Sequence, residues 1–184
     1  MLENYVKKIL EELYNSMNTE EVEDYSDVCR MIEMSDRIFL AGAGRTGYIM
    51  RCFSMRLMQA GFQVYWIGDN NTCSAREGDL LIIGSGSGET GSLCVFAEKA
   101  AALHVKRIVF TARKMSRLGR VAELTKILNA DIKYDSDGEK LSIQPMGTLF
   151  EEKLFIVLEA VVLKLMERNH IEEKDMQQRH ANLE

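Results

Sequence analysis

The amino-acid sequence predicts an α/β protein: a doubly wound parallel sheet in a three-layer αβα sandwich, built as a single domain. Three observations predict it. Short apolar runs such as Leu80-Leu81-Ile82-Ile83 alternate with longer stretches whose apolar residues recur at i, i+3 and i+4. These are the patterns of buried parallel strands and of the helices that cover both faces of their sheet. Two of the apolar runs end in glycine-rich turns, Gly42-Ala43-Gly44-Arg45-Thr46-Gly47 and Gly84-Ser85-Gly86-Ser87-Gly88-Glu89-Thr90. The length, 184 residues with 46% hydrophobic content, suits one core that needs no staples.

The elements follow in order. Residues 3–17 place Val6, Ile9, Leu10, Leu13 and Met17 on one helix face. Thr19 reads as the N-cap of a second helix carrying Val22, Tyr25, Val28, Cys29 and Ile32. These two helices, over residues 1–35, precede the core and are free to pack on a neighbouring subunit. The core, 36–168, opens with a strand at 37–41, the first glycine-rich turn, and a helix over 48–60 with Ile49, Phe53, Leu57 and Met58 in step. A strand at 64–67 ends in a polar loop, 68–78, long enough to line a pocket mouth. The central strand and second glycine-rich turn lead to a helix over 91–103 and a strand at 107–111. A short helix around 118–124, a weak strand within 127–134 and a solvated turn at 135–140 complete the sheet region. The longest helix spans 148–168 and is apolar around much of its circumference, which predicts burial on more than one side. A polar tail, 169–184, follows.

Composition narrows the function. A net charge of -5 argues against nucleic acid, whose backbone is held by basic surfaces. Cys29, Cys52, Cys73 and Cys94 show neither C-x-x-C nor metal-ligand spacing. With no signal peptide, they read as reduced cysteines of a cytoplasmic protein, and no metal is indicated. No apolar run approaches the roughly 20 residues that span a bilayer, so no membrane partner is expected.

The two turns carry the chemistry. In parallel sheets ligands sit beyond the carboxyl ends of the strands, near a change in strand order. Glycines let the backbone wind tightly, and N–H groups at a helix start favour an anion. Ser85, Ser87 and Thr90 add hydroxyls. No Lys stands where a nucleotide loop would carry one, and a phosphomonoester of modest size is expected rather than a nucleoside triphosphate or a dinucleotide. The alternative is a Gly/Ser turn that only caps a helix.

Beyond the turns, Met55-Arg56-Leu57-Met58, Gly78-Asp79-Leu80-Leu81, Gln144-Pro145-Met146-Gly147-Thr148-Leu149-Phe150-Glu151 and the terminal Arg179-His180-Ala181-Asn182-Leu183-Glu184 are distinctive. With the turns they make the chain, from about Arg37 onward, resemble the sugar isomerase (SIS) family, and within it the hexulose-phosphate isomerases. The resemblance implies a cofactor-independent isomerase of the ribulose monophosphate route that moves a ketone of a hexulose 6-phosphate from C3 to C2. It implies a homo-oligomer, a tetramer, with the sugar phosphate as the small-molecule partner. Thr46, Ser85, Ser87 and Thr90 match the phosphate-holding positions, and Gly44 and Gly86 of the same two turns are expected to bind with them. Arg45 pairs with either the phosphate or a carboxylate, and Glu89 either orients the loop or meets substrate. Glu151 matches the base, since a carboxylate in a partly closed apolar site can exchange a proton near neutral pH. Its other reading is an acidic residue that favours a helix N-terminus. His180 is either a residue that polarises the carbonyl, reaching the site of a neighbouring subunit, or a solvated tail histidine. Two rival functions stay open: aldose–ketose isomerisation of another sugar phosphate, and sugar-phosphate sensing without catalysis.

Overall fold

Residues 2–18, 24–130 and 142–183 are described in a computed structural model of the chain. Five strands form one parallel sheet: β1 (Ile38–Gly42), β2 (Val64–Trp66), β3 (Leu80–Gly84), β4 (Lys106–Thr111) and β5 (Leu124–Ile127), in the order β2-β1-β3-β4-β5. The direction of winding reverses beside β1, so β1 and β3 are neighbours with crossovers leaving to opposite sides, the geometry that opens a crevice at their carboxyl ends. In register, Gly42 faces Gly84.

Successive strand residues point to opposite faces, and two cores result. Ile38, Leu40, Leu80, Ile82, Ile108 and Phe110 pack with α2 (Ser26–Glu33), α3 (Gly44–Gln59) and α6 (Thr148–Asn169). Phe39, Ala41, Leu81, Ile83 and Val109 pack instead with α4 (Gly91–Ala102) and the short α5 (Arg117–Val121). The helix α1 (Leu2–Asn18) lies on α6, and α7 (Glu173–Gln178) lies on α3. The long helix α6 buries Phe150, Leu154, Leu158, Val161 and Leu165, as its wide apolar face predicts. Among the described residues, no helix is long and apolar enough to cross a membrane.

Several boundaries differ from expectation, each for a physical reason. The helix expected from residue 48 begins at Gly44, so most of the first glycine-rich turn is its opening turn. The glycines there serve close packing: a Cβ on Gly42 would lie 2.9 Å from the Gly47 Cα. The short helix comes earlier than 118–124 because Ser116 caps it, its hydroxyl accepting the Gly119 N–H. Among the described residues the last strand is Leu124–Ile127, which meets the expected 127–134 window at its first residue, while 131–134 of that window lie outside the described residues. Lys126 disguised it: a lysine reads as solvent-facing, yet this one is buried, with its ammonium 3.0 Å from Asp27 and over the Tyr25 ring. The tail holds one further helix, α7, closed at its start by a reciprocal Glu172–Asp175 capping box. The Thr19 cap and the 135–140 turn lie outside the described residues.

Candidate active site

Three chain segments meet at the carboxyl edge of the sheet, around a cleft of about 460 Å³. The first turn of α3 supplies Gly44, Arg45 and Thr46, the loop after β3 supplies Gly86 and Ser87, and the start of α6 supplies Thr148, Phe150 and Glu151, approached through Pro145, Met146 and Gly147. The 84–90 loop is wound tightly upon itself. Gly88 N–H reaches both the Ser85 carbonyl and its hydroxyl, at 3.1 and 3.2 Å. Gly88 sits at φ +65°, and a Cβ there would lie 2.3 Å from the Ser116 hydroxyl, so only glycine fits. The Gly86 carbonyl is held from β4 by the Thr111 hydroxyl and the Ala112 N–H.

Glu151 is the best-organised group in the cleft. Its side chain is 14% exposed, and each oxygen meets α3: Oε2 lies 2.9 Å from Arg45 Nη1, and Oε1 accepts from the Thr46 hydroxyl at 3.3 Å. The same Arg45 nitrogen donates to Thr148 Oγ1 at 2.9 Å, and the Thr148 hydroxyl donates to the Pro145 carbonyl. The carboxylate therefore has a charged partner beside it, where the sequence suggested apolar surroundings. Of the two alternatives for Arg45, the structure presents the carboxylate pairing.

The expected site residues fall in three places. Gly44, Arg45, Thr46, Gly86, Ser87 and Glu151 line one cleft. Ser85, Glu89 and Thr90 build the loop instead. Ser85 is buried with its hydroxyl 3.4 Å from that of Thr90, and the Glu89 carboxylate accepts the Arg117 N–H at the start of α5. His180 stands elsewhere. Its neighbour Arg179 donates to the Gln59 carbonyl and packs its guanidinium 3.3 Å from where a Gly61 Cβ would be, at the far end of α3. That helix has 16 residues, so His180 lies roughly 20 Å from Glu151 of the same chain at 1.5 Å of rise per residue. Thr148 and the 145–147 turn went unassigned in the sequence, although Pro-x-Gly before a helix is a turn signal. Both glycine-rich turns also carry G-x-G-x-x-G spacing (Gly42, Gly44, Gly47 and Gly86, Gly88, Gly91). That spacing marks a tight strand-to-helix turn, its role here, so the sequence pattern gives no ground by itself for setting a dinucleotide aside. Among the described residues, no group of three or more His, Cys, Asp or Glu is arranged to hold a metal ion.

A five-stranded parallel sheet with two tight loops and a held carboxylate at its carboxyl edge defines an αβα domain with a small-ligand cleft. The SIS domain family matches residues 31–158, and the chain belongs to that family. Over 180 residues it is 43% identical to the 3-hexulose-6-phosphate isomerase of Bacillus subtilis (strain 168), covering 98% of this chain and 97% of that one. It is 36% identical over 181 residues to the 3-hexulose-6-phosphate isomerase of Mycobacterium gastri, covering 98% and 90%. Its structure is similar to that of a Methanococcus jannaschii protein for which a 3-hexulose-6-phosphate isomerase function was inferred. That match has a TM-score of 0.83 and 31% identity, covering 98% of this chain and 99% of that one.

Proposed function

We propose that the protein interconverts D-arabino-hex-3-ulose 6-phosphate and D-fructose 6-phosphate, within the ribulose monophosphate route, using no cofactor. The observation that carries this reading is the placement of Glu151, held by Arg45 and Thr46, in the same cleft as the Gly86-Ser87 loop. Near full-length likeness to two 3-hexulose-6-phosphate isomerases supports the choice of substrate. In this reading the 84–90 loop and the Ser87 hydroxyl take the phosphate. The Glu151 carboxylate removes the proton from C2, and the electrons form the C2–C3 double bond of an enediolate whose charge rests on the former C3 ketone oxygen. Transfer of the C2 hydroxyl proton to the C3 oxygen moves the charge to the C2 oxygen, and return of the proton from Glu151 to C3 then leaves a ketone at C2 and a hydroxyl at C3. The Arg45 guanidinium, beside the carboxylate, supplies positive charge next to the developing oxyanion. His180, distant from its own cleft, serves the cleft of a neighbouring copy in a homotetramer.

A coupled assay tests the reading. Formaldehyde and ribulose 5-phosphate are supplied with a hexulose-phosphate synthase, and fructose 6-phosphate is followed through phosphoglucose isomerase and an NADP-dependent dehydrogenase. NADPH formation that requires this protein is the expected result. No signal, with the synthase confirmed active, overturns the substrate and directs the search to other sugar phosphates and then to non-catalytic sensing.

A further inference from the structure

One wall of the cleft is fastened from outside it. Gln144 is buried, and its side-chain amide donates to two carboxylates: Glu152 Oε2 at 2.7 Å, on α6, and Glu12 Oε2 at 3.1 Å, on α1. The other oxygen of Glu12 accepts the Ile143 backbone N–H at 2.9 Å, so one α1 side chain grips two consecutive residues. The Gln144 N–H is itself taken by the Ser142 hydroxyl. One residue later the chain enters the turn that lines the cleft, where Met146 is held at φ +61°, a region a side chain rarely adopts without external constraint. The turn ends at Thr148, whose hydroxyl joins the Pro145 carbonyl to Arg45, and Arg45 joins Glu151. A second tie fixes α1 to the same helix: the buried Lys153 ammonium donates to the Ser16 carbonyl near the end of α1.

We infer that Glu12 and Gln144 are positioning residues for the proposed isomerase: α1 sets the place of the 145–148 wall, and through Thr148 and Arg45 the orientation of the Glu151 carboxylate. The inference rests on the isomerase reading of the cleft. Neither residue lines it, so their effect is indirect. The chemistry also explains why a neutral amide stands at residue 144. A glutamine offers two N–H donors to two carboxylates, whereas a glutamate would place a third negative charge between them and donate nothing.

The test compares wild type with Glu12→Ala, Gln144→Leu and the conservative Glu12→Gln, which keeps an acceptor for the Ile143 N–H. Amide hydrogen exchange is read over 142–149 and over the β3 and β4 peptides, alongside kcat and KM. Faster exchange confined to 142–149 is expected in Glu12→Ala and Gln144→Leu, with kcat lowered roughly tenfold or more, as loss of a charge-assisted hydrogen bond implies. KM should move less, because the phosphate loop is untouched, and Glu12→Gln should recover part of kcat. Unchanged exchange over 142–149 overturns the inference, as does a loosened wall with wild-type kcat. Exchange that rises equally in β3 and β4 reports general destabilisation and also overturns it. Wild-type protein without turnover in the coupled assay overturns the isomerase reading instead, and with it the positioning role.

Discussion

Glu151 and Ser87 line one cleft, and their substitutions should fail in different ways. Gln in place of Glu151 keeps the size and one acceptor but cannot take a proton. Turnover should fall by about 10²–10⁴-fold, the usual worth of a positioned acid or base, while fructose 6-phosphate binding by calorimetry stays within a few-fold. Retained turnover in Glu151→Gln removes that residue from the chemistry. Ser87→Ala removes one hydroxyl from the same cleft. A lost hydrogen bond to a charged group is worth about 1.5–3 kcal/mol, which predicts KM raised roughly 10- to 150-fold with kcat little changed. A KM that does not move places the phosphate anchor on other residues. At this scale the sequence was informative where chemistry is local. Ser85, Ser87 and Thr90 announce a polar loop by their own side chains, but only coordinates show that Ser85 spends its hydroxyl on the Gly88 N–H. The Thr46–Glu151 hydrogen bond joins residues 105 positions apart, and no local pattern contains such a bond.

The loop between β3 and α4 is the element on which the site depends, and its shape is enforced by the neighbour it touches. Gly88 combines a left-handed φ with a Ser116 hydroxyl 2.3 Å from the missing Cβ, and Ser116 is itself buried and committed to capping α5. Alanine at residue 88 therefore meets two costs: about 1–2 kcal/mol for the backbone conformation and a further 1 kcal/mol or more for displacing the cap. Calorimetry of Gly88→Ala should show a Tm lower by several degrees, and an unchanged Tm would mean the loop does not wind as described. The same contact explains a boundary that the sequence left vague. The start of α5 is fixed by a single serine cap, within a segment lacking the apolar periodicity that identified α3 and α6. β5 stayed hidden because its buried lysine is neutralised by Asp27, which lies on α2, far off in sequence. Elements held by their own pattern were legible, whereas elements held by a distant partner were not.

At the scale of the whole molecule, the two ends of the sheet divide the expected catalytic pair. Glu151 stands at the carboxyl edge beside the start of α3, and Arg179 ties the tail to the end of the same helix. The length of that helix lies between them, so a cis encounter would require α7 to unfasten. The outer side of α1 meanwhile exposes Tyr5, Val6, Leu10 and Tyr14, each more than half accessible, an apolar stripe of the kind that pairs protein surfaces. The proposed homotetramer, in which another copy completes each cleft, calls for both features. Light scattering should accordingly give a mass about four times that of the 20.9 kDa chain, and a monomeric mass would contradict the assembly. Mixing two inactive variants goes further. If His180 acts across an interface, Glu151→Gln chains donate intact histidines and His180→Asn chains donate intact carboxylates. Random reassembly of equal amounts would then restore about a quarter of the sites, since each site draws its two groups from different members of a symmetric oligomer. Activity regained on co-refolding, but absent when the two are mixed without dissociation, is the expected outcome. No recovery, with mixed oligomers verified by native mass spectrometry, would remove the trans histidine and leave Glu151 with its Arg45 and Thr46 partners as the catalytic unit of a single chain.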